Sequence, residues 1–204
     1  MNTVVRSTQY PSTIHRMALG VAVLVGFLTP GASLASAVTP VSLDRSATVT
    51  PYCGIVWGSL PESATSATAR GTLYDIRAGR HACFDRLVFD VRGPIAGHHV
   101  QYVDAVRAPG SGAVVRVGGG ARLEIRIDVP AHDRAGRATY RPDSLGRLVD
   151  VRGWDTFRQV AWAGSFEGST TVALGVRARL PMRVFVLPGA DRSRLVVDVA
   201  HYWF

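Results

Sequence analysis

The spacing of apolar and polar residues changes character twice along the chain. Residues 17–28 (MALGVAVLVGFL) are uninterruptedly apolar, residues 38–70 hold no sustained period, and from Gly71 onward apolar residues recur in short runs. The clearest run places Leu123, Ile125, Ile127 and Val129 in alternation with Glu124, Arg126 and Asp128. A strict period of two predicts a strand with one buried face. Further strands are predicted at 73–77, 84–91, 100–103, 114–117, 148–151, 157–162, 172–176, 184–186 and 195–199. Gly93-Pro94 and Pro109-Gly110-Ser111-Gly112 punctuate them as turns. Gly118-Gly119-Gly120 reads as a flexible hairpin turn, and residues 130–146 as a long polar surface loop. No stretch after residue 70 sustains helical spacing for three turns. The pattern predicts an all-β, antiparallel domain of about eight or nine strands, a sandwich or a barrel.

The apolar run at 17–28 has a different meaning. Arg6, His15 and Arg16 precede it, Pro30 and Gly31 follow it, and Ala35-Ser36-Ala37 forms a small-x-small site. This is the pattern of a secretory signal peptide over 1–37, with cleavage before Val38. The run is 12 residues long, well short of the ~20 that span a bilayer. Residues 38–70 are rich in Ser, Thr, Ala and Pro and read as a linker pinned near Cys53, leaving 71–204 as the β domain.

Composition narrows the chemistry. All 23 basic residues are arginine, and there is no lysine. This excludes a lysine Schiff base, a P-loop lysine and a Ser-x-x-Lys nucleophile. Residues 38–204 carry 21 arginines against 15 acids, a net +6, which favours anionic neighbours. The arginines are spread evenly, without the dense basic block of a nucleic-acid stripe.

Cys53 and Cys83 are the only cysteines. In a chain leaving the reducing cytoplasm they read as one disulfide. The sharper alternative is a Cys83 thiol served by His81, for a wall-modifying enzyme. Glu167, beside Trp162 and Phe166, is a second candidate acid for a sugar cleft, against its reading as a hairpin-turn residue. No Ser satisfies the nucleophile elbow, and neither His98-His99 nor His132-Asp133 has metal-ligand spacing. The expectation is therefore no catalytic residue, no metal site and no cofactor. The remaining candidates are arginines and aromatics suited to anionic sugars: Arg86, Trp162, Phe166, Arg177 and Arg183.

Three blocks, YDIRAGRHACFDRLVFDVRGP, TFRQVAWAGSFEGSTTVALGVRARLPMRVFVL and RLVVDVAHYW, with CGIVWGSLP ahead of them, resemble the AMIN-like domain of exported proteins from high-GC Gram-positive bacteria. The resemblance spans residues 53–203. It implies an antiparallel β-sandwich related to the AMIN domain, a non-catalytic module of envelope proteins such as wall amidases and pilus secretins. Such modules help to localise their hosts to peptidoglycan or the division site. No site residue is carried over. The expectation is a secreted, extracellular or wall-associated module that binds peptidoglycan or an anionic wall polymer, with a protein-interaction or inhibitor module using its sheet edges as the other non-catalytic option.

Overall fold

The structure, a computed structural model, describes residues 51–66 and 71–203. The signal segment, with Ala35, Ala37 and Val38, lies outside the described residues. After a single 3-10 turn at Tyr52–Gly54 come eleven strands: β1 Glu62–Thr65, β2 Thr72–Arg80, β3 Phe84–Arg92, β4 Gly97–Val103, β5 Val106–Arg107, β6 Val114–Val115, β7 Ala121–Ile127, β8 Phe157–Phe166, β9 Ser169–Val176, β10 Met182–Leu187 and β11 Arg192–Ala200. No α-helix occurs among the described residues.

Alternation decides the architecture. In β7, Leu123, Ile125 and Ile127 are fully buried while Arg126 is exposed, so one face of the strand is core and the other meets solvent. Pairing in antiparallel register gives a five-stranded sheet, β1-β4-β7-β9-β8, and a four-stranded sheet, β10-β11-β3-β2. The inward residues of both sheets form one core. Leu73, Leu87, Phe89, Val91, Leu195 and Val197 from the four-stranded sheet join Val100, Leu123, Ile125, Val160, Val172 and Leu174 from the other. Each such burial contributes roughly 1.5–3 kcal/mol. The domain is an antiparallel β-sandwich, as the sequence predicts. A small second cluster of Val106, Val117, Ala161, Ala163 and Ala173 forms on the opposite side of β8 and β9, where the β5-β6 ribbon lies over the alanines.

Several local expectations are corrected. The strand count exceeds eight or nine because two strands were not expected: Val106–Arg107, which pairs with the predicted strand at 114–115, and Glu62–Thr65, inside the segment read as a linker, which pairs with β4. Residues 148–151 form no strand. Asp150 accepts hydrogen bonds from the Arg152 backbone N and guanidinium, and Gly153 follows at φ 74°, so the chain turns there. Residues 118–120 are a close-packed crossing and not a flexible turn: a Cβ on Gly119 would stand 2.4 Å from the Val176 carbonyl oxygen, and one on Gly175 would meet Gly118 O. Residues 130–146 do not lie wholly at the surface, for Tyr140 is buried in the main core.

Candidate ligand-binding face

The outward face of the four-stranded sheet is built from every second residue of its strands. Along β3 these are Phe84, Arg86, Val88, Asp90 and Arg92, and along β11 Arg192, Arg194, Val196 and Asp198. Cross-strand register then sets Arg183, Asp198 and Arg86 side by side, and Arg194 beside Asp90. Asp198 is fully buried and serves two guanidinium groups. Arg86 donates from Nε (2.7 Å) and Nη2 (2.9 Å), Arg183 from Nη2 (2.5 Å) and Nε (3.2 Å). Asp90 is flanked in the same way by Arg77 at 2.6 Å and Arg194 at 3.4 Å. Hydrogen bonds donated to Asp198 and Asp90 raise the pKa values of Arg86 and Arg77 above the usual arginine value, against the opposing effect of desolvation. Both remain cations under all ordinary conditions.

Aromatic rings fill the gaps between these charges. The Arg183 guanidinium lies 4.8 Å from the Phe185 ring centre and 5.8 Å from that of Trp57, and Arg86 lies 5.1 Å from Phe84. Arg92 and Arg192 flank Tyr74 at 5.2 and 5.9 Å. Counting Arg77, Arg86, Arg92, Arg183, Arg192 and Arg194 against Asp75, Asp90 and Asp198, the face carries a net +3. Cation–π contact holds the guanidinium groups of Arg86, Arg92, Arg183 and Arg192 against the rings.

Trp57 reaches this face because the N-terminal segment is tied to the sandwich twice and bonded to itself once. Gly58 and Met182 exchange two backbone hydrogen bonds at 3.0 and 2.7 Å, the Trp57 indole N–H donates to Tyr52 O, and Cys53 is bonded to Cys83. The expected disulfide is thus present, and no free cysteine occurs among the described residues. His81, the partner of the alternative thiol, stacks on Phe84 at 4.4 Å.

The other candidates lie elsewhere. Arg177 donates to the His201 carbonyl and sits 5.8 Å from the Tyr202 ring. Trp162 packs on Tyr140 at 5.6 Å and against the main core. Phe166 is 48% exposed at the end of β8, and Glu167 occupies the two-residue turn to β9 with φ 49°. That positive φ, followed by Gly168 at 79°, is the backbone of a primed hairpin turn. So of five candidate ligand residues, Arg86 and Arg183 are brought together, and Trp162, Phe166 and Arg177 are not. Asp198, Asp90, Tyr74 and Trp57 were not singled out from sequence, although the charged outer stripe of β3 and β11 is visible once the strand register is known.

A buried polar network closes one end of the sandwich. The Oδ2 of Asp85 accepts from the Thr156 and Phe157 amides, both at 2.8 Å, and Thr156 Oγ1 meets His201 Nδ1 at 2.9 Å. Asp85, Asp155 and His201 bring ligand-type atoms within 4.8 Å of one another. They come from three distant segments, so no sequence spacing displays them. Arg80 already bonds Asp155 at 3.3 Å, and His201 Nε2 lies 3.0 Å from the His81 carbonyl, which marks the cluster as a tie between β3, β8 and the end of β11.

Among the described residues no helix is long and apolar enough to cross a membrane. Neither the curated proteins nor the solved structures contain a match to this chain. The AMIN-like domain model, however, matches residues 71–201, a span that includes every strand of the sandwich except β1 and all of this face except Trp57, and the chain belongs to the AMIN-like domain family.

Proposed function

We propose that this protein is a secreted, non-catalytic module that binds peptidoglycan or an anionic polymer associated with it. AMIN-like domains are generally non-catalytic binding modules of the cell envelope, which supports the class of function. The observation that carries the reading is the outer face of the four-stranded sheet, where six arginines and four aromatic rings are interleaved on a rigid surface with a net +3. A long polyanion gains from many such contacts at once, and each is screened by salt.

The test is co-sedimentation of the purified protein with wall sacculi, before and after the anionic polymers are stripped, across a salt series. Pelleting with stripped sacculi assigns peptidoglycan, and pelleting with intact walls alone assigns the anionic polymer. Arg92→Gln with Arg192→Gln removes two charges without touching Asp90 or Asp198, and should weaken pelleting at low salt. No pelleting in either preparation overturns the proposal.

A further inference from the structure

A cleft far from that face in the strand order has a different electrostatic design. It opens where β4 ends and β7 begins, has a volume of about 450 Å³, and is lined by Tyr102, Asp104, Gly120, Arg122 and Arg179. We propose that it binds a single oxyanion, carboxylate or phosphate, carried on a sugar-sized polar ligand. This goes beyond the polymer-binding reading and does not depend on it.

The arginines of the outer face are largely occupied by buried aspartates, whereas those of the cleft are not. Arg122 is half-buried, yet its guanidinium makes no ion pair or hydrogen bond with the described residues. Among the described residues the Arg179 guanidinium has no carboxylate within 4.0 Å, and its one hydrogen bond is a long 3.5 Å approach to Ser59 O. A guanidinium has five donors in a planar fork that matches an oxyanion edge. Leaving two such forks uncompensated around one concavity is the composition of an anion site.

The cleft is also rigid. Arg179 stands 5.2 Å from the Tyr102 ring centre. That ring is fixed at its far end, where its hydroxyl donates to Leu180 O at 2.7 Å and accepts from Leu180 N at 3.0 Å. Gly120 lines the cleft without a side chain, and none fits there, for a Cβ would lie 2.4 Å from Arg177 O. A neighbouring recess of about 370 Å³ shares Arg122 and Asp104 and adds Arg116, so three arginines face one acid along the groove. Asp104 repels a bare anion and accepts hydrogen bonds from hydroxyls, which favours an oxyanion on a polyol body over a small free ion. The volume lies within the range of small-molecule sites and suits one sugar unit.

Calorimetric titration at low salt with glucuronate, glucose 6-phosphate and glucose tests this, the three sharing one hexose body. Both charged sugars should bind saturably and glucose about tenfold more weakly or less, as expected on losing a charge-assisted contact. The tighter of the two charged sugars identifies carboxylate or phosphate as the natural group. Arg122→Gln and Arg179→Gln should each weaken binding about tenfold, and Asp104→Asn should strengthen it about two- to fivefold. Arg92→Gln with Arg192→Gln should leave it unchanged, which separates this site from the polymer face. All these side chains are at least partly exposed, and a thermal melt checks that each variant is folded. Failure of both charged sugars to bind, equal binding of glucose, or undiminished binding in the folded Arg122→Gln/Arg179→Gln double variant overturns the proposal.

Discussion

The Asp198 carboxylate lies in the fork of Arg86, its two oxygens 2.7 and 2.9 Å from Nε and Nη2, and is completely buried. Arg183 approaches the same carboxylate from the neighbouring strand. A buried anion with two cations tolerates the loss of one partner better than the loss of both. Arg183→Met alone should therefore cost about 1–2 kcal/mol. Arg86→Met with Arg183→Met strands the charge and should cost about 3–5 kcal/mol. Urea unfolding measures both, and a double variant no less stable than the single one would show that Asp198 does not depend on these cations.

The disulfide should act mainly on the unfolded chain. Cys53 and Cys83 are 30 residues apart, and closing such a loop is worth roughly 3–4 kcal/mol in the chain-entropy model. Cys53→Ser with Cys83→Ser should lower stability by that order and free the segment that carries Trp57. Thiol titration of the oxidised protein should find no reactive cysteine. Two reactive thiols in fully folded protein would reopen the Cys83 nucleophile.

The strands were legible in sequence wherever one face is buried and the other wet. β7 is the plainest case, and β3 with β11 were found despite carrying Asp85, Asp90 and Asp198 within them, because the apolar residues between keep the period. Residues 148–151 misled because Leu-Val-Asp-Val mimics alternation while the Asp150–Arg152 contact sets a turn. β1 was missed because Glu-Ser-Ala-Thr has no apolar face and owes its extension to pairing with β4. The site was only partly legible for a related reason. Arg86 and Arg183 can be picked out as arginines near aromatics, but their shared partner Asp198 depends on strand order, which periodicity does not contain. The packing of Trp162 was illegible for the same reason, since Tyr140 reaches it from a loop that the pattern left at the surface.

Trp162 gives a way to separate packing from recognition. It is half-buried, 5.6 Å from Tyr140, and packed on the main core. Trp162→Ala should cost about 2–3 kcal/mol, less than a fully buried tryptophan. Wall binding by the folded fraction should be retained at temperatures well below the lowered melting point. Binding lost in protein that is demonstrably folded would restore Trp162 to the ligand site.

His98 makes stability depend on mildly acidic pH. It is 7% exposed, and its Nδ1 has no hydrogen-bond partner. Burial lowers its pKa, with the nearby Asp128 opposing that shift and His99 adding to it. The folded ring thus refuses a proton that the unfolded chain accepts. Above about pH 6.5 both states are neutral at this position and stability is unaffected. As pH falls through that value the unfolded state gains the proton first, and stability declines until the folded pKa is reached. Carboxylates with ordinary values do not titrate until about pH 4, so unfolding measured between pH 7.5 and 5 separates histidine protonation from theirs. His98→Phe keeps an apolar ring at the site and should flatten the stability profile across this window. An identical decline in the variant would place the proton uptake on another histidine.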